Sequence, residues 1–175
     1  MTAAVAYHVP GVGCVLACDS RAACTETGHV FTDEDQKWAL LGSLTVVCAG
    51  TPGALWLDLR TRPPRNMDAL RKRIAAVSSD DDKLKYEFLV YDQRTDWLAY
   101  LDDGGDAISI GRRGAIGAGG PLSMGVMDAA RAPQTLDAAA RLTRRAVAIA
   151  CRRNAFCGGR VRTVVVSRKG AVVLR

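Results

Sequence analysis

The chain has 175 residues, of which 49% are hydrophobic and 24% are charged, a composition typical of one folded domain. No apolar run approaches the roughly 20 residues that a membrane-spanning helix needs, and residues 1–18 lack the basic start of an export signal. We therefore expect a single domain over 1–175, located in the cytoplasm and without a membrane partner. The six cysteines are expected to stay reduced and to serve as small buried hydrophobic residues.

Charge is divided unevenly along the chain. Residues 1–111 carry 11 basic and 16 acidic side chains, whereas residues 112–175 carry 13 basic and 2 acidic ones. A basic half can indicate nucleic-acid binding, but Phe156 is the one aromatic residue there, so bases have nothing to stack on. We expect no nucleic-acid partner and a basic surface that faces solvent or a neighbouring subunit.

The first half of the chain is predicted to form strands followed by two helices. The predicted strands cover 3–9, 14–18, 37–41 and 43–48, and the polar stretch 20–35 is expected to turn at Gly28. A helix is expected to start at 50–53, since Pro52 is tolerated in a first turn, and to break before Pro63. A second helix is predicted over 66–77 from its apolar spacing.

The second half repeats this order of strands and then helices. Strands are predicted over 86–91, 96–100, 107–110 and 114–117, helices over 122–131 and 136–153, and a closing hairpin over 161–167 and 171–174. Thr135 stands where an N-cap belongs. Because strands and helices come in blocks instead of alternating, we expect an α+β fold with two stacked antiparallel sheets between outer helices.

Familiar catalytic and phosphate-binding motifs do not occur in the sequence. There is no G-x-S-x-G, no H-E-x-x-H and no P-loop, and the two histidines, His8 and His29, are expected to be surface residues. The glycines of 117–121 precede a helix but lack the Lys-Ser/Thr that follows in a P-loop. They are therefore expected to form a tight strand-to-helix turn, and no metal or cofactor is predicted.

Thr2 is a candidate nucleophile that needs no histidine. If Met1 is removed, the α-amine of Thr2 titrates at about 7.7–8.0, so roughly a tenth or more of it is an unprotonated base at pH 7, far more than of a lysine. A threonine paired with its own N-terminal amine is an established activated nucleophile.

Five further segments accompany Thr2 in order along the chain. They are 15–22 (VLACDSRA), Lys37 before an apolar strand, 49–51 (AGT), 115–121 (AIGAGGP) and 153–159 (RNAFCGG). This series resembles the proteasome β-subunit and HslV family of N-terminal-nucleophile (Ntn) hydrolases over almost the whole chain. The resemblance implies a four-layer α-β-β-α sandwich, which agrees with the element order predicted above.

The resemblance also implies roles for individual residues. Thr2 would be the nucleophile, Asp19 would hold Lys37, whose ammonium lowers the pKa of the threonine hydroxyl, and the Gly50 N–H would receive the oxyanion. The resemblance also implies supporting positions around the terminal amine and positions that line a substrate pocket. The supporting positions are Ala118, Gly119, Asn154 and Cys157, and the pocket positions are Ala22, Asp35 and Cys48.

Three supporting positions depart from the family pattern. The family usually has Ser at position 118, and proteasome subunits have Asp and Ser at positions 154 and 157, where this chain has Ala118, Asn154 and Cys157. Asn154 can still accept a hydrogen bond through its amide oxygen, Cys157 accepts only weakly, and the side chain of Ala118 cannot accept one.

The function implied is that of a self-compartmentalising threonine endopeptidase. It would be a homo-oligomer of two stacked hexameric or heptameric rings, with the helices after the 117–121 glycines contributing to ring–ring contacts. Unfolded polypeptides would be its substrates and an AAA+ ATPase unfoldase its partner. With no propeptide beyond Met1, the chain is expected to be closest to HslV-like bacterial homologues. Two alternatives stay open: a catalytically weak or silent ring protein, and an Ntn hydrolase of small amides.

Overall fold

The computed structural model describes residues 2–23, 30–32, 36–50, 53–78 and 86–174. The strands in these ranges are β1 (Ala4–Val9), β2 (Gly13–Cys18), β3 (Ala22–Ala23), β4 (Val30–Thr32), β5 (Trp38–Leu41), β6 (Leu44–Gly50), β7 (Tyr86–Asp92), β8 (Trp97–Leu101), β9 (Ala107–Ser109), β10 (Arg113–Ile116), β11 (Arg162–Ser167) and β12 (Gly170–Leu174). The helices are α1 (Gly53–Thr61), α2 (Met67–Ser78), α3 (Gly120–Asp128) and α4 (Leu136–Arg153).

The strands form two five-stranded antiparallel sheets. The first sheet has the order β10-β1-β2-β11-β12, and the second has the order β5-β6-β7-β8-β9. A small third sheet pairs β3 with β4, which the sequence did not predict within the polar stretch 20–35. The expected turn at Gly28 lies outside the described residues.

The hydrophobic core has three layers, and alternate residues of β1 pack into two of them. Ala4 and Ala6 face the second sheet, whereas Val5 and Tyr7 face the helices α3 and α4. A third cluster fills the space between the second sheet and the helices α1 and α2. The result is a helix–sheet–sheet–helix sandwich, which confirms the predicted α+β architecture.

At the end of α3 and the start of α4, backbone N–H groups that lack a partner within a regular helix find another hydrogen-bond acceptor. The Thr135 hydroxyl accepts a hydrogen bond from the Ala138 N–H at the start of α4, which confirms the predicted N-cap. The predicted end of α3 at Arg131 was wrong, because the Ala130 N–H bonds to the Met127 carbonyl and closes the last turn early. The inward face of α4 is mostly small, and its buried residues are Ala139, Ala140, Thr143, Ala146, Val147 and Ala150.

The prediction that His8 is a surface residue was wrong. Its side chain is buried on β1, and its Nε2 lies 2.8 Å from Asp96 Oδ1. His29 lies outside the described residues. Among the residues that the structure describes, no helix is both long enough and apolar enough to cross a bilayer.

The described cysteines are free thiols, and most of them are buried as predicted. Cys151 is half-buried, and the buried ones are Cys14, Cys18, Cys48 and Cys157. Cys24 lies outside the described residues.

Candidate active site

Asp19 is a fully buried carboxylate directly after β2. Its Oδ1 accepts hydrogen bonds from the Ala3 N–H at 3.0 Å and from Lys37 Nζ at 2.9 Å. Its Oδ2 accepts one from the Gly158 N–H at 2.9 Å. A buried charge is tolerated when it is paired and hydrogen-bonded, and here one carboxylate connects three distant parts of the chain.

Lys37 precedes β5 and is 4% exposed. Its ammonium donates to Asp19 and to the Arg21 carbonyl, and its own carbonyl accepts a bond from the Cys48 N–H. The pair is therefore an interior feature and not an ion pair on the surface. Removing either partner would leave the other charge buried without its counterion.

Thr2 is 2% exposed and lies beneath the turn formed by residues 117–120. Its carbonyl accepts a hydrogen bond from the Gly119 N–H at 3.0 Å. Gly117 has φ +75°, and a Cβ there would lie 2.4 Å from the Thr2 carbonyl oxygen. Backbone conformation and contact with Thr2 therefore both require glycine at position 117. This turn was predicted from the sequence, and it contacts Thr2 directly.

Gly50 is the last residue of β6, where it pairs with Tyr86 and is exposed. Its φ of +93° is one that glycine adopts readily. An oxyanion site uses backbone N–H groups of this kind, and the role of the Gly50 N–H stays a prediction.

Asn154 connects the end of α4 to the 117–120 turn. Its Nδ2 donates to the Ala118 carbonyl at 3.2 Å, and its Oδ1 accepts from the Phe156 N–H at 3.0 Å. Position 118 thus takes part through its backbone, which an alanine side chain permits.

Cys157 is buried against Gly119 near the same turn. Burial, together with the negative charge of Asp19, raises the pKa of its thiol to about 11, although Lys37 opposes the shift. A thiol with this pKa is protonated at neutral pH, so Cys157 is a weak hydrogen-bond donor and not a nucleophile.

Ser20 and Arg21 have roles that the sequence did not predict. The Ser20 hydroxyl accepts a hydrogen bond from the Arg160 N–H, and the Arg21 guanidinium donates to the Ala155 carbonyl. Their backbone N–H groups both lie 3.1 Å from the Gly158 carbonyl oxygen. All three residues of the Asp-Ser-Arg motif therefore bind the segment 155–160, and the motif itself was the signal that could have shown this.

The predicted substrate pocket is only partly covered by the described residues. Ala22 is half-buried on β3, and Cys48 is buried in the cluster between the second sheet and the helices α1 and α2. Asp35 lies outside the described residues. The pocket assignment stays a prediction.

Within the residues that the structure describes, no group of three or more His, Cys, Asp or Glu side chains is assembled to hold a metal ion.

No family model matches the chain. It is 30% identical over 178 aligned residues to proteasome subunit beta type-5 of Gallus gallus, which covers 90% of this chain and 68% of that protein. The chain belongs to the proteasome β-subunit family.

Membership of the proteasome β-subunit family confirms the resemblance drawn from the ordered motifs. It also agrees with the observed sandwich of two antiparallel sheets between helices. The predicted closeness to HslV is a finer statement and stays a prediction.

Proposed function

We infer that this proteasome-family chain is a threonine endopeptidase subunit whose nucleophile is Thr2 after removal of Met1. The observation that carries this proposal is the buried carboxylate of Asp19. It binds both the residue that follows Thr2 and the ammonium of Lys37. Asp19 and the Gly119 N–H thus connect the main chain at Thr2 and Ala3 with the Lys37 ammonium and the glycine turn.

The chemistry follows from these groups. The α-amine of Thr2 accepts the proton of its own hydroxyl, and the oxygen attacks the peptide carbonyl. The Lys37 ammonium stabilises the developing alkoxide, and the Gly50 N–H stabilises the oxyanion of the tetrahedral intermediate. The amine then protonates the leaving nitrogen, and water hydrolyses the resulting ester to restore Thr2.

The proposed assembly is an HslV-like homo-oligomer of two stacked rings of six or seven subunits in the cytoplasm. The relative by which the family is shown is a proteasome subunit, which supports self-association. The groove between α3 and α4 is lined by Leu122, Val126, Leu142 and Ile149 together with Arg145 and Arg153, a mixture of apolar and basic groups suited to a subunit contact. Unfolded polypeptides would enter the chamber, delivered by an AAA+ unfoldase.

The decisive experiment compares Thr2→Ala with Thr2→Ser. Intact mass first establishes that Met1 is absent from the sample. Thr2→Ala should then lower kcat for an unfolded polypeptide by about 10⁴-fold or more, because the bond-forming oxygen is gone. Thr2→Ser keeps a hydroxyl and an amine and should retain measurable turnover. Equal turnover by wild type and Thr2→Ala would exclude Thr2 as the nucleophile.

A second measurement separates the alternatives. An epoxyketone should label wild type once per subunit and leave Thr2→Ala unlabelled. A chain without Met1 that neither turns over peptides nor takes the label is a silent ring protein, for which Ala118 and Cys157 would be the reason. Turnover of small amides without turnover of peptides would identify the other Ntn class.

A further inference from the structure

Glu87 is a half-buried carboxylate within β7, whose other residues are buried. It stands directly opposite Ala49 of β6, next to the strand end at Gly50. An isolated charge within a buried strand costs free energy unless hydrogen bonds compensate for it. The sequence motifs of the family resemblance did not include this residue.

The carboxylate of Glu87 has a donor on each oxygen. Its Oε2 accepts a hydrogen bond from the Gly117 N–H at 2.9 Å, and its Oε1 accepts one from the Tyr100 hydroxyl at 3.3 Å. Burial, and next the charge of Glu87, raise the pKa of Tyr100 to about 12. The shorter of the two contacts reaches from the second sheet to the 117–120 turn.

That turn is the one that holds Thr2. Its Gly119 N–H binds the Thr2 carbonyl, and Gly117 packs against the same oxygen. On its other side, Asn154 binds the Ala118 carbonyl from the end of α4. The turn is therefore fixed from two directions, by a carboxylate of the second sheet and by an amide at the end of a helix.

We propose that Glu87 is a positioning residue, which fixes the 117–120 turn through Gly117 and thereby the main chain of Thr2. The proposal rests on the proposed function of Thr2 as nucleophile. Glu87 acts as a hydrogen-bond acceptor and takes no part in proton transfer. Its role requires an acceptor atom at this place and does not require the negative charge itself.

The acceptor requirement sets the choice of variants. Glu87→Ala removes the acceptor, and Glu87→Gln keeps one oxygen for the Gly117 N–H while losing the charge. Glu87→Ala should lower kcat by about tenfold or more with little change in KM, as expected when a nucleophile is misplaced. Glu87→Gln should retain most of kcat. Asp103→Asn serves as the control, because the charge of Asp103 also raises the pKa of Tyr100, and it should leave kcat at the wild-type value.

Two readouts do not depend on activity. Hydrogen–deuterium exchange of the segment 115–120 should be faster in Glu87→Ala and close to wild type in Glu87→Gln. The titration of Tyr100 should shift from about 12 towards its ordinary value in both Glu87 variants, because the charge is lost in each. Such a shift would support the placement of the Glu87 carboxylate beside Tyr100 in solution.

The outcomes separate the two proposals. Wild-type kcat and wild-type exchange in Glu87→Ala would overturn the positioning role, as would equal losses of kcat in Glu87→Ala and Glu87→Gln. If wild type itself has no peptidase activity, the proposed function fails. In that case, faster exchange in Glu87→Ala alone would still support the part of the proposal that concerns the turn.

Discussion

His8 Nε2 and Asp96 Oδ1 lie 2.8 Å apart and join the two sheets at the turn ends of their strands. His8 is on β1 of the first sheet, whereas Asp96 is in the turn between β7 and β8 of the second. The same carboxylate accepts a hydrogen bond from the Tyr91 hydroxyl and one from the Gly11 N–H, each at 2.7 Å. Asp96 has φ +53°, a conformation that Asp and Asn tolerate better than most residues.

We expect Asp96→Asn to flatten the acid dependence of stability. Burial raises the pKa of Asp96, but the hydrogen bonds from Gly11, Tyr91 and His8 outweigh it and hold the pKa below its ordinary 3.8. A carboxylate with a lowered pKa stabilises the fold above its unfolded-state pKa, and this stabilisation is lost as pH falls through the folded-state pKa. The free energy of unfolding of wild type should therefore fall more steeply below about pH 4 than that of Asp96→Asn. Parallel curves from urea unfolding would contradict this.

The buried ion pair predicts unequal effects for its two partners. Asp19→Ala leaves the Lys37 ammonium without its counterion and two backbone N–H groups without their acceptor, so it should lower the free energy of unfolding by about 3–5 kcal/mol. Lys37→Met should cost less, because the carboxylate keeps its bonds from Ala3 and Gly158. Both variants should lose peptide hydrolysis. A larger destabilisation by Lys37→Met in denaturant unfolding, or full activity in that variant, would refute the assigned arrangement.

Gly117→Ala should displace Thr2, with Gly111→Ala as the matched control. The two glycines have similar φ values, +75° and +68°, so alanine is strained to a similar degree at both, by about 1–2 kcal/mol. Only at Gly117 would the new Cβ meet the Thr2 carbonyl; at Gly111 nothing lies within 4 Å. We expect a loss of kcat of about tenfold or more in Gly117→Ala alone. Equal kcat in the two variants would mean that the turn does not position Thr2.

The proposed assembly should depend on salt. The exposed arginines Arg141, Arg145 and Arg152 give α4 a basic face, and residues 1–111 carry the excess of acidic groups. Charge pairs between subunits are screened at 1 M salt, where the Debye length is about 3 Å. Light scattering should find a large oligomer at low salt and smaller species at high salt. A mass near 18.7 kDa at low salt and micromolar concentration would exclude the ring.

The long elements were predictable because each carries a local hydrophobic signal of its own. The buried runs of β1 and β2 and the small-residue stripe of α4 are examples, and they were sufficient for the layer order. The strands β3 and β4 have two and three residues, too few to show a period. His8 was misjudged because its neighbours form a turn, whereas its partner Asp96 lies 88 positions away.

The site residues that stand in local sequence motifs were predictable. Those that only long-range contacts bring to the site were not. Asp19, Lys37 and the 117–121 glycines stand in motifs of the family. Glu87 lies between apolar residues of β7, and only the packing of the two sheets against each other brings it to Gly117. A carboxylate flanked by buried residues within a strand was the available signal.

The hydrogen bonds of Asp19 have a consequence for when the site can form during synthesis. Its donors lie 16, 18 and 139 positions away along the chain, so closing the last contact requires the chain up to residue 158. Contacts of such long sequence separation form slowly, because the entropy of the intervening loop is lost before the bond is gained. For the proposed peptidase, this means that a nascent chain on the ribosome lacks the completed site until residue 158 has emerged and docked.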